Sequence, residues 1–409
     1  MAKTDVEWAH DRFPEGPLPK SRPRHVLPVI VFSQFAGTSL WFAGNAVLAD
    51  LSRAWDLAPR ALGWITSAVQ LGFICGTLVF AIFALSDRFS PAKLFLGCAL
   101  LGAGANGMLL AADHLAPLLG IRFFTGFFLA GIYPVGMKIA AAWYREDLGK
   151  AIGYLVGALV LGTAFPHWVR SVGAEMPWQH VLLWVSLLAA LGGLTLFLTV
   201  PDGPHLPRGQ GFQPRVLWQM FRLPAFRASA FGYFGHMWEL YTFWAFVPWI
   251  LAVHPASALE ESGLSAWAFG IIALGALGCV GGGIASRRWG SAPVAFVFLA
   301  ISGGCCVLWP VALFWPKPWF LAFLILWGIA VIGDSAQFSA LTARNAPRLW
   351  VGSALTVVTC IGFSLTIVSI ELTGFLAERV APRWLFLFLL PGPVFGLISM
   401  VSLLGRESE

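Results

Sequence analysis

The chain is 409 residues long, 58% hydrophobic and only 11% charged, with a mean hydropathy of +0.76 and a formal net charge of +6. An ordinary soluble domain carries roughly 25% charged residues, and no soluble core absorbs this much apolar surface. Lipid must therefore be the solvent for most of the chain.

A spanning helix needs about 20 apolar residues, and apolar runs fall at 26–49, 61–84, 92–112, 117–143, 149–168, 178–200, 228–253, 265–286, 291–315, 318–341, 352–376 and 382–404. That pattern predicts an all-α integral membrane protein with twelve spans. A spanning barrel would show alternating segments of about ten residues, which are absent. The basic residues follow the positive-inside bias. With the N-terminus cytoplasmic, 19 of the 26 Lys and Arg lie on the cytoplasmic side, six lie outside, and Arg122 falls within a span. The positive charge is thus a topology signal, and no nucleic-acid partner is expected. The expected location is a bacterial inner membrane, multi-pass, with both termini cytoplasmic.

Residues 1–25 are polar and lack an early apolar core, so they read as a retained cytoplasmic tail, not a signal peptide. In the first helix Gln34, Thr38, Trp41 and Asn45 recur at spacings of four, three and four, which puts them on one face. Such a face either lines a wet cavity or bonds a neighbouring helix. A short charged turn follows the second helix, Phe83-Ala-Leu-Ser-Asp87-Arg88-Phe-Ser90. The fourth helix opens with Arg122-Phe-Phe-Thr125-Gly126 and carries Tyr133 and Lys138 farther on. A guanidinium inside a span costs roughly 2.5–3.5 kcal/mol on insertion scales, so Arg122 needs a buried partner or a water path, or it snorkels outward. The fifth helix carries spaced glycines before Pro166-His167.

Residues 201–227 are rich in Pro, Gly and Arg and read as a cytoplasmic linker between a six-helix bundle at 26–200 and another at 228–404, with a short tail at 405–409. The seventh helix carries His236-Met237-Trp238-Glu239-Leu240-Tyr241. His236 and Glu239 are three apart and project from one face. A carboxylate at mid-bilayer depth either holds a proton, faces water and a cation, or is locked neutral by a neighbouring helix. A shift of 202 residues sets Gln34 opposite His236. The turn after the eighth helix, Gly283-Ile-Ala-Ser-Arg287-Arg288-Trp-Gly290, echoes the one at 83–90. The tenth helix carries Asp334 and Gln337, and the eleventh carries Glu371 near its outer end. The six cysteines sit inside the runs without a CxxC pair, so neither disulfides nor a metal site is expected. No cofactor, nucleophile and base pair, or phosphate loop appears, so an enzyme is not expected.

Two of these stretches carry a family resemblance. The turn at 83–90 resembles the loop signature of the major facilitator superfamily, a Gly-x-Leu-Ala-Asp-Arg-x-Gly-Arg-type sequence. Leu85, Asp87 and Arg88 fit it, while Phe83 and Ser90 replace its glycines; the second copy has Gly283 and Gly290 but Arg287 in place of the acid. Arg122 to Gly126 resembles the family's Arg-x-x-Gln-Gly, with Thr125 for Gln. The resemblance implies two pseudo-symmetric six-helix bundles that rock about a central cavity, carrying a small-molecule substrate by alternating access, as a monomer in the bilayer. It links the arginine, here Arg122, to proton coupling and gating; the depth of Glu239, with His236 beside it, makes that pair the expected proton carrier. Gln34, Thr38, Asn45, Tyr133, Tyr241, Asp334 and Gln337 would line the cavity, and Asp87, Arg88, Arg287 and Arg288 would form a cytoplasmic gate. The absent Gly-Pro signature on the fifth helix leans toward import. The aromatic seventh helix keeps a multidrug/proton antiporter as the alternative, with a non-transporting receptor or scaffold more remote.

Overall fold

A computed structural model describes residues 23–58, 60–144, 148–173, 176–205, 219–255, 261–347 and 350–405. Most of the expected N-terminal tail, the middle of the linker and the last four residues lie outside these. Among the described residues the chain is helical, with no strand. Span 1 comprises Val26–Thr38, Ala43–Ala46 and Leu48–Trp55. Spans 2 to 6 are Ala61–Ile82, Pro91–Met108, Leu115–Leu129 with Tyr133–Trp143, Leu148–Val172, and Gln179–Thr199. Spans 7 to 9 are Pro224–Ala252, Glu261–Ala273 with Gly275–Trp289, and Ser291–Ala312. Spans 10 to 12 are Lys317–Gly333 with Ser335–Asn345, Val351–Ala377, and Pro382–Leu385 running on to Pro391–Leu404.

Ten of these helical stretches are long and apolar enough to cross a membrane, and Val26–Thr38 is a shorter apolar helix. Pro224–Ala252 is long enough at 29 residues but is not among the ten, because its Gly, His, Glu, Tyr and Trp residues dilute its hydropathy. It begins at Pro224, inside the expected linker, since proline is pre-set for the first helical turn and lacks only an N–H that would be unbonded there.

The packing repeats. In the first half span 1 packs on spans 5 and 6, span 2 on span 4, and span 3 on spans 4 and 6. In the second half span 7 packs on spans 11 and 12, span 8 on span 10, and span 9 on spans 10 and 12. The halves meet along span 2 against span 11 and span 5 against span 8, a pairing that exchanges into itself. The repeat extends to single residues. A methyl group on Gly126 would collide with the Val69 carbonyl oxygen, and one on Gly76 with that of Phe127. Two hundred and two residues later, Gly328 stands in the same relation to Ile271 and Gly278 to Ile329. Without a hydrophobic drive between helices in lipid, backbone contact at small residues is what holds spans together.

Large apolar side chains such as Leu71, Leu101, Leu198, Leu277 and Ile398 are exposed on the outside, while Gln34, Arg122, His236, Glu239 and Asp334 are buried within. This inversion of the soluble pattern suits a hydrocarbon surround. His25 Nε2 lies 3.0 Å from the Thr199 carbonyl, and Ser90 bonds Asp202 at 2.9 Å. These contacts gather the start of span 1 and the turns after spans 2 and 6 at one end, here the near end.

Candidate functional site

Span 1 breaks after Thr38, and the helix resumes only at Ala43. The expected single stripe of Gln34, Thr38, Trp41 and Asn45 is therefore divided. Thr38 bonds back to the Gln34 carbonyl at 2.8 Å and Ser39 to that of Ala36 at 2.6 Å, while Asn45 donates to Thr66 at 2.7 Å. A break in lipid frees carbonyls that must find donors. Arg122 supplies them, with one guanidinium nitrogen bonding the Leu40 carbonyl at 3.0 Å and the other bonding that of Trp41. Asn106 joins them at 3.4 Å and is itself held by Ser186 at 3.0 Å. Arg122 is fully buried, which rules out snorkelling. Its partners are two backbone carbonyls and the Asn106 side chain, all of its own half, so the structure does not bring it to Glu239.

His236 and Asp334 come together across spans 7 and 10. His236 Nδ1 lies 2.8 Å from Asp334 Oδ1, with both side chains 1% exposed. The two atoms stand at ion-pair distance, and among the described residues no other group bonds the second ring nitrogen or the second carboxylate oxygen. Asp334 occupies the junction between the two helices of span 10. Gln34 is buried against Gly136, and its amide is also unpartnered. Gln337 is buried one turn beyond Asp334, and Tyr133 opens the second helix of span 4. Tyr241 is buried against Trp41, with ring centroids 5.6 Å apart.

Glu239 shares the helix with His236 but not its partners. It accepts from Ser302 at 2.6 Å, from Trp327 at 2.6 Å and from Cys306 at 3.5 Å. All three donors belong to the second half. Spans 9 and 10 thus hold the side chain in place through three hydrogen bonds. His236 and Glu239 therefore face different neighbours despite their spacing, because a three-residue offset turns a side chain by about 60° about the axis.

At the near end Asp87 pairs with Lys138, which also bonds the Ser86 carbonyl. Lys138 thus ties its own half's turn to span 4. Arg88 and Arg287 are exposed, and Arg288 lies 5.7 Å over the Trp289 ring. Two contacts between the halves at the opposite end were not foreseen. Arg60 Nε lies 3.0 Å from Glu378 Oε2, and Ser67 donates to Glu371 at 2.6 Å. Glu371 was visible as an acid near a span end, but nothing in the sequence paired it with a serine 304 positions away. Phe73, Phe363 and the buried amide of Gln70 were also missed, since aromatic and amide residues are common in spans and carry no spacing signal.

Comparisons with known proteins fit this geometry. A putative uncharacterized transporter of Escherichia coli, YgaY, is 30% identical over 189 residues, covering 44% of this chain and 47% of its own. The niacin transporter NiaP of Acinetobacter baylyi is 31% identical over 173 residues, 39% of this chain and 36% of its own. The 3-(3-hydroxy-phenyl)propionate transporter of Escherichia coli is 30% identical over 168 residues, 40% of this chain and 39% of its own. The chain thus spans less than half the length of these curated relatives. A crystal structure of a bacterial homologue of the human lysosomal transporter Spinster, in an inward-facing and occupied conformation, shares the fold. Its TM-score is 0.67 at 15% identity, over 94% of this chain and 98% of that one. The sequence model of the Major Facilitator Superfamily matches residues 29–370, and the chain belongs to that family.

Proposed function

We propose that this chain is a secondary active transporter that moves a small solute by alternating access, coupled to protons. Its bundles, 26–200 and 228–404, would rock about the seam where spans 2 and 11 and spans 5 and 8 meet. Two relatives named for transport of small organic molecules support the choice of cargo. The observation that carries the coupling is the His236 and Asp334 pair, fully buried and in contact at 2.8 Å across spans 7 and 10. A carboxylate and an imidazole so placed share one proton in the closed state and give it up when an opening admits water. Glu239, held by three donors, keeps span 7 in register with spans 9 and 10 in this reading.

The test uses full-length protein in proteoliposomes, with a solute chosen because it stabilises the purified protein. Asp334→Asn should abolish accumulation driven by a pH gradient yet leave counterflow of preloaded solute. Glu239→Gln should lower thermal stability and leave accumulation in proportion to folded protein. Undiminished accumulation by Asp334→Asn would remove the pair from the mechanism, and absence of counterflow for every solute would remove transport itself.

A further inference from the structure

Among the described residues, five ring contacts cross from one half of the molecule to the other, and they converge on one cluster. Trp41 stacks on Tyr241 at 5.6 Å and on Phe363 at 5.5 Å, both with 27° between planes. Phe42 lies 6.5 Å from Tyr241 and 6.4 Å from Trp244, and Phe73 lies 4.6 Å from Phe363. Each half also holds its own rings together, with Trp41 against Phe73 at 4.9 Å and Tyr241 against Phe363 at 5.1 Å. All six side chains are buried.

Three polar groups on or beside these rings are buried without a partner: the indole N–H of Trp41, that of Trp244, and both amide atoms of Gln70. Gln70 stands one helical turn before Phe73 on span 2. A buried indole N–H normally finds an acceptor, and two left unmet in one cluster call for a group that is not part of the chain. Toward the near end, His236 precedes Tyr241 by five residues on the continuous helix of span 7, about one and a half turns away.

We propose that the transported solute is a flat aromatic or heteroaromatic molecule bearing a hydrogen-bond acceptor, taken up between these two ring clusters. This rests on the transport reading above. Parting the halves breaks all five ring contacts together and leaves an aromatic face on each side. A flat π-system restores face and edge contacts to both, whereas a saturated ring of equal size presents hydrogens all round. The acceptor takes the unmet indole N–H groups, and the Gln70 amide can donate or accept beside them. Aliphatic side chains would close a seam of this shape equally well by packing alone, but they would leave no buried donors waiting.

The experiment compares matched pairs on purified full-length protein: benzoate with cyclohexanecarboxylate, and benzamide with cyclohexanecarboxamide, read by thermal stabilisation against concentration. Each aromatic member should reach half-maximal effect at a concentration roughly tenfold or more below its saturated partner, two ring contacts being worth about that factor. Phe363→Leu should shrink the ratio, and Trp41→Phe should keep more of it than Trp41→Leu. The wild-type ratio decides the matter even if a variant fails to fold. Equal stabilisation by the saturated partners, or none by either aromatic compound, overturns the proposal. The transport reading falls separately, only if no solute of any class shows counterflow.

Discussion

Arg122 illustrates how one charge can be kept in a hydrocarbon-depth interior without a counter-charge. Its guanidinium presents donors in a rigid fork, and the broken first span offers two adjacent carbonyls to meet it. Arg122→Met would strand the Leu40 and Trp41 carbonyls and Asn106, against some relief from removing a desolvated charge. A net loss of roughly 2–4 kcal/mol is expected from such stranded groups, read as a lower melting temperature. Arg122→Lys should recover only part, since one ammonium cannot bond both carbonyls in the same geometry. Glu239 is the complementary case, an acceptor ringed by three donors. Glu239→Gln turns an NH2 toward one of them and should cost about 1–3 kcal/mol. Both residues stood out in the sequence because a charge in an apolar run is conspicuous. Their partners did not, because backbone carbonyls, a serine hydroxyl and an indole N–H leave no mark in an apolar sequence.

The helices are organised by close approach. Gly126 lets span 4 lie on the Val69 carbonyl of span 2, and Gly328 does the same for span 10 on span 8. Gly126→Ala and Gly328→Ala must each push two spans apart, because the obstacle is backbone and cannot rotate away. Each should cost roughly 1–3 kcal/mol or more, whereas Gly97→Ala, inside a helix with open space around it, should leave the melting temperature unchanged or slightly raised. The turn between spans 2 and 3 holds a smaller strain. Ala84 adopts φ 51 and ψ 39, a left-handed conformation that costs an L-residue roughly 1–2 kcal/mol. Ala84→Gly should therefore raise the melting temperature, by an amount reduced by glycine's larger entropy in the unfolded chain. The corresponding strain is absent after span 8, where the positive-φ residue is Gly290.

At the scale of the whole molecule, the far end is closed by contacts that bridge the halves. Arg60 meets Glu378, with side chains 37% and 30% exposed, and Glu371 accepts from Ser67. The exposed ion pair is worth only about 0.2–1 kcal/mol, and the partly buried carboxylate more. Removing both together, as Glu371→Ala with Glu378→Ala, should shift the balance toward separation at this end by about tenfold. Spin labels on Asp56 and Arg383 would report it as a new, longer population of distances. An unchanged distance distribution would assign the closure to the aromatic cluster alone. Asp87, by contrast, pairs with Lys138 of its own half, so in this conformation it braces one bundle.

Composition and the length of the apolar runs were enough to determine a helical membrane protein, and the echo of the turn at 83–90 in the one at 283–290 was enough to expect two related halves. Hydropathy and periodicity act locally, so a linear chain records them. Which polar group meets which was decided only by folding. His236 found Asp334 and not Glu239 as its neighbour, Arg122 found a gap in span 1, and Trp41 found Tyr241 and Phe363 from the other half. Those pairings depend on the rotation of each helix about its axis and on how closely glycine lets the backbones approach. Neither quantity is set until all the helices have packed.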